Sequence, residues 1–78
     1  MLPIQVTNFL NERNAGAPAI PADASLFDTG VLDSFSLAEF ITVIEDATGI
    51  SIPDADLNPE TFETIAKTEA YIARALGA

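Results

Sequence analysis

The apolar residues Leu37, Phe40, Ile41, Ile44 and Ala47 recur at spacings of three and four, directly after the irregular stretch Gly30-Val31-Leu32-Asp33. That period lays them along one stripe of a helical surface. It predicts a helix over about residues 34–48, the second in chain order, with Ser34 at its start. Asp33, Ser34 and Ser36 all qualify as its N-cap, and Ser36 followed three residues later by Glu39 fits a capping box. Gly49 suits a left-handed residue at the far end, and Pro53 soon afterwards prevents continuation. A helix start offers unpaired backbone N–H groups and the positive end of the macrodipole, which together suit a phosphate. An exposed serine hydroxyl there is placed to carry a phosphodiester; an ordinary cap is the competing reading.

Leu2, Val6, Phe9 and Leu10 recur at helical spacing, and Pro3 is tolerated in a first turn, which predicts helix one over about residues 3–13. Asn14-Ala15-Gly16-Ala17-Pro18 ends it. Residues 14–33 carry Gly16, Pro18, Pro21 and Gly30 without a sustained period, so they read as a long loop, pinned by Leu26, Phe27, Val31 and Leu32. Ile50-Ser51-Ile52 is too short and isolated for a strand and reads as a connector burying one or both isoleucines. Asn58 as cap with Pro59 behind it predicts a short third helix over about 59–62. Thr64 caps a fourth over about 65–76, with Ile65, Thr68, Ile72 and Leu76 inward, Gly77 ending it, and the Tyr71 hydroxyl reaching water at the border. The expected fold is all-α: a small antiparallel bundle of three longer helices plus one short helix, forming one domain across residues 1–78.

Composition removes most chemistry. The chain has no cysteine and no histidine, hence no thiol nucleophile and neither the usual general base nor the commonest metal ligand. Twelve acidic residues face Arg13, Lys67 and Arg74, for a net charge of −9, and no basic residue lies between Arg13 and Lys67. Such a field disfavours nucleic acid and anionic membrane and steers the chain toward basic patches on partner proteins. The start lacks a signal-peptide pattern and no apolar run reaches membrane-spanning length, so a cytoplasmic protein is expected. An enzyme built on carboxylates alone has little support in a chain this small. Asp46-Ala47-Thr48-Gly49 and Asp54-Ala55-Asp56 lack the ligand spacing of a calcium loop, so no metal site is expected.

Five stretches carry a resemblance: Leu26-Phe27-Asp28-Thr29-Gly30-Val31-Leu32-Asp33-Ser34-Phe35, Ile44-Glu45-Asp46, Ile52-Pro53-Asp54, Phe62-Glu63-Thr64-Ile65 and Tyr71-Ile72. In these the chain resembles the acyl carrier proteins and the related aminoacyl and peptidyl carrier domains. The resemblance implies a non-catalytic carrier. Ser34 would receive 4′-phosphopantetheine from a phosphopantetheinyl transferase using coenzyme A and a divalent cation, with Asp33 supporting attachment. Cargo would travel as a thioester on that arm, which supplies the thiol the chain lacks. Periodicity puts Phe35, Ala38, Glu39, Thr42, Glu45 and Asp46 on the outward side of helix two, where the family docks its enzymes. The implied partners are therefore the transferase, an acyl- or aminoacyl-loading enzyme and a downstream transferase or synthase, each with a basic docking patch, visited by a monomer. The Leu32-Asp33-Ser34-Phe35 version is more similar to D-alanyl and other free-standing specialised carriers than to the fatty-acid type. A fatty-acid carrier and an acidic helical interaction module without a prosthetic group are the alternatives.

Overall fold

Pro3 lies just outside the first helix and not in its first turn. In the computed structural model, which describes residues 2–15 and 19–77, α1 spans Ile4–Arg13 with Pro3 as its N-cap. Proline has no N–H to leave unpaired, and its carbonyl accepts the N–H groups of Val6 and Thr7 at 3.0 and 3.1 Å. Asn14 closes the helix, its N–H bonded to the carbonyls of Leu10 and Asn11. The Gly16-Ala17-Pro18 part of the expected stop lies outside the described residues.

The apolar period of the second helix translates directly into burial. Helix α2 spans Ser34–Thr48; Leu37, Phe40, Ile41 and Ile44 are buried, and Ala47 packs against them half-buried. Gly49 ends the helix at φ 78°, a conformation that costs side-chain-bearing residues more than glycine, and donates its N–H to the Glu45 carbonyl at 2.8 Å.

Helices α1 and α2 run antiparallel, as three positions establish. Gln5 shares a groove with Val43, Asp46 and Ala47 near the end of α2. Phe9 stacks on Phe40 with ring centroids 5.8 Å apart. Arg13 reaches Val31, just before α2 begins, donating through Nε to its carbonyl at 2.6 Å. The core thus forms where Val6 and Leu10 meet the α2 stripe, and the end of α1 lies beside the start of α2.

The loop is held by the residues that the sequence singles out. Leu26, Val31 and Leu32 are buried and Phe27 is half-buried. Leu26 donates its N–H to the Glu63 carbonyl at 2.7 Å and its own carbonyl accepts from Leu32 at 2.9 Å. Gly30 turns the chain at φ 81° between these anchors. Ala66 donates to Ala22 at 3.0 Å, tying the loop to the last helix.

The short helix is displaced from its expected place. It is a 3-10 turn over Asp54–Asp56 behind Pro53, whereas residues 59–62 form hydrogen-bonded turns. Asn58 does cap locally, its Oδ1 accepting from the Thr61 N–H and hydroxyl at 3.1 Å each. A helix does not grow from that cap because Phe62 must enter the core. Its ring sits 6.3 Å from that of Phe40 and 5.1 Å from that of Tyr71, and the next carbonyl is committed to Leu26. Upstream, the connector buries Ile52 and half-buries Ile50.

The last helix, α3, spans Ile65–Ala75, with the Thr64 hydroxyl accepting the Lys67 N–H at 3.0 Å. Thr68 and Ile72 are buried and Ile65 is half-buried. Leu76 departs from the expected inward stripe: it is the C-cap, beyond the last helical turn, and 58% exposed. The Tyr71 hydroxyl also departs from expectation, donating to Asp56 Oδ2 at 2.7 Å instead of turning to water alone. Three α-helices and one 3-10 turn, with no strand among the described residues, make the fold all-α.

Candidate functional site

The N-cap of α2 is Asp33, chosen from the three residues that could have served. Its Oδ1 accepts the Phe35 N–H at 3.0 Å, the Ser36 N–H at 2.8 Å and the Ser36 hydroxyl at 2.8 Å. Ser36 Oγ in turn accepts the Asp33 N–H at 2.9 Å. The capping box is therefore Asp33 with Ser36, displaced one turn from the expected Ser36–Glu39 pair. An aspartate three residues before a serine was the available signal. Ser36 is buried and faces the cap, while Glu39 stays exposed.

This arrangement frees Ser34. It is the first residue of α2, it is exposed, and among the described residues neither its hydroxyl nor its N–H makes a hydrogen bond. The electrostatics of the helix start are not those of a bare terminus, however. Two of the N–H groups that could have met a phosphate are already taken by the Asp33 carboxylate. Those hydrogen bonds, from Ser36 first and Phe35 after, hold the Asp33 carboxyl below its ordinary range, helped by the Arg13 charge. Asp33 is thus a firmly ionised cap and a weak base.

Phe35, Ala38, Glu39, Thr42 and Asp46 are all exposed, and Phe35, next to the free serine, is 83% exposed. The Thr42 hydroxyl donates back to the Ala38 carbonyl at 3.1 Å, a local helical bond. Glu45 differs from the fully outward position that periodicity gives it. It is half-buried, and its Oε2 accepts the Ile52 N–H at 2.8 Å. Spacing within α2 cannot reveal this bond, because the donor lies beyond Gly49, where the chain folds back. Among the described residues no cluster of carboxylates is placed to hold a metal ion.

The family model for the phosphopantetheine attachment site matches residues 9–72, which include all of α2 and most of α3. The chain belongs to that family. D-alanyl carrier protein 2 of Lactiplantibacillus plantarum (strain ATCC BAA-793 / NCIMB 8826 / WCFS1) is 35% identical over 51 residues, 65% of this chain. The matched stretch spans 64% of that relative's length. No solved structure gives a significant match.

The group that membership implies is a covalently attached 4′-phosphopantetheine. The start of α2 fits such a group. An arm of this kind needs a hydroxyl outside the core that is not tied up in a cap, and the Asp33–Ser36 box leaves Ser34 in that state. No helix among the described residues is long and apolar enough to cross a membrane.

Proposed function

We propose that Ser34 carries the 4′-phosphopantetheine arm and that the cargo is a small aminoacyl or specialised acyl group. The observation that carries the first part is the division of labour at the α2 start: Asp33 and Ser36 make the cap, so the Ser34 hydroxyl is spared for chemistry. When bound, the arm supplies a terminal thiol that holds cargo as a thioester. The chain's part in attachment is to present Ser34 Oγ on a fixed helical turn, clear of side-chain competition. Asp33 rigidifies that turn but, held ionised by its hydrogen bonds, has little tendency to take the serine proton. The base for that proton is therefore one this chain does not supply. Proteolysis of the modified protein followed by fragment mass measurement should place the added mass on the peptide containing Ser34; mass on any other peptide refutes the assignment.

Two observations support the cargo reading. The Leu32-Asp33-Ser34-Phe35 sequence is more similar to that of D-alanyl and other free-standing specialised carriers than to the fatty-acid type, and a 35% identical relative is named a D-alanyl carrier protein. The modified protein, offered an adenylating enzyme with ATP and D-alanine, should gain the mass of the amino acid as a hydroxylamine-labile thioester. Loading by a fatty-acyl enzyme in preference would favour the fatty-acid alternative. Partners are enzymes with basic patches, and the exposed positions Phe35, Ala38, Glu39, Thr42 and Asp46 form the docking face. A small apolar contact beside the serine and carboxylates further along suit fast, weak, electrostatically steered encounters.

A further inference from the structure

The chain's lysines and arginines are Arg13, Lys67 and Arg74, of which Lys67 and Arg74 line one groove. Lys67 is paired with Glu63 at 3.2 Å. Arg74 is in the last turn of α3, beside Tyr71 and Asp56 in that groove. Arg13 is the remaining cation. Phe9 stacks on Phe40, and because the two helices are antiparallel, one turn onward from Phe9 corresponds to one turn back from Phe40. That register brings Arg13 level with Ser36, beside the capping box. The bond from Arg13 Nε to the Val31 carbonyl at 2.6 Å fixes the guanidinium next to the segment leading into Ser34, and its carbon Cζ lies over the Phe9 ring, 5.9 Å from the centroid. One nitrogen is used in that tether; the terminal nitrogens carry further N–H donors.

A phosphodiester on Ser34 adds negative charge next to Asp33 on a chain already at −9. The helix start offers it less than a bare terminus would, because Asp33 occupies the Phe35 and Ser36 N–H groups and leaves only that of Ser34. We propose that Arg13 is the positioning residue for the arm, its guanidinium holding the phosphodiester beside the start of α2 while Nε stays on Val31. Arginine suits the role, since it can tether through one nitrogen and bind phosphate oxygens through others. The consequence is a directed arm: the first bonds after Ser34 are drawn toward the end of α1, and cargo leaves the protein from that side.

This inference rests on Ser34 as the attachment point, so the experiment separates the two. Protein labelled with ¹⁵N is converted by coenzyme A and a promiscuous pantetheinyl transferase, and fragment mass reports the site independently. In the wild-type chain the Arg13 side-chain N–H resonances should move on conversion. Those of Arg74 should stay, because Arg74 shares a groove with Asp56 and Tyr71, past the connector that Glu45 holds, and Glu45 is itself about 16 Å along α2 from Ser34 at 1.5 Å per residue. The phosphorus resonance of the converted protein should shift in Arg13→Gln relative to wild type at low salt, with partial return in Arg13→Lys and convergence at high salt. Unmoved Arg13 resonances in a chain bearing the arm on Ser34 would overturn this inference and leave the attachment reading intact. Absence of the arm from Ser34 would overturn both. Because the Arg13 resonances are read in the wild-type chain, a variant that fails to fold does not weaken the test.

Discussion

The Glu45 carboxylate accepts the backbone N–H of Ile52 at 2.8 Å, across the turn that Gly49 makes at the end of α2. An acidic residue that periodicity assigns to solvent is therefore part of the scaffold, holding the connector that buries Ile52. Glu45→Ala should cost about 1 kcal/mol, the usual worth of a half-buried hydrogen bond, and Glu45→Gln, which keeps an acceptor oxygen, should recover most of it. Chemical denaturation of the three proteins checks this; equal midpoints for all three would mean the bond carries no stability.

Docking is best tested on carboxylates without such a task. Glu39 and Asp46 are exposed, so Glu39→Lys combined with Asp46→Lys should leave helix content unchanged while slowing loading or transfer, chiefly through association rate. Each exposed ion pair is worth roughly 0–1 kcal/mol, and the difference should shrink as salt rises. Stopped-flow transfer rates at two ionic strengths decide the matter. Wild-type rates in low salt would remove α2 from the docking face.

The Asp33 cap gives stability a defined acid dependence. Its folded carboxyl is held below the ordinary value of 3.8 by the Ser36 and Phe35 hydrogen bonds. A depressed folded pKa stabilises the fold above the unfolded value, and that contribution fades as pH falls through the folded one. Wild type should therefore melt above Asp33→Ala near neutral pH, with the gap closing below about pH 4. A gap that persists unchanged at the lowest pH would mean that the charge of Asp33 is not what makes the cap.

Tyr71 links the other end of the molecule. Its hydroxyl donates to Asp56 at 2.7 Å, and partial burial together with that carboxylate pushes its pKa up to about 12. A raised folded pKa stabilises the fold below the unfolded value of 10 and is lost as pH rises through about 12. Phenolate absorbance should titrate near the higher value in the folded protein. Tyr71→Phe should lower stability by about 1 kcal/mol and loosen the 3-10 turn, read as faster amide exchange at residues 54–57. Titration at the ordinary tyrosine value with unchanged exchange would contradict the clasp.

The core was legible where one period governs a run. Leu37 to Ile44 and Val6 to Leu10 lie as their spacing requires, because burial of a helical face is a local pattern. What could not be read depends on contacts between distant segments. Asn58 caps as its chemistry suggests, but the demand of Phe40 and Tyr71 for the Phe62 ring prevents a helix from following. Glu45 and Tyr71 likewise find partners beyond a chain reversal that no window of the sequence spans. At the candidate site the helix start and Ser34 were visible, whereas the choice among Asp33, Ser34 and Ser36 as cap required geometry, since all three have suitable side chains.

The most direct measurement is the intact mass of wild type and Ser34→Ala after incubation with coenzyme A and a promiscuous pantetheinyl transferase. Ser34 makes no side-chain hydrogen bond among the described residues, and Asp33 supplies the cap. Alanine, the best helix former, should thus fold as well as wild type by circular dichroism and thermal melting. Wild type should gain the mass of one phosphopantetheine group, and folded Ser34→Ala should gain none. An unmodified wild type, or a modified Ser34→Ala, would contradict the account at its centre.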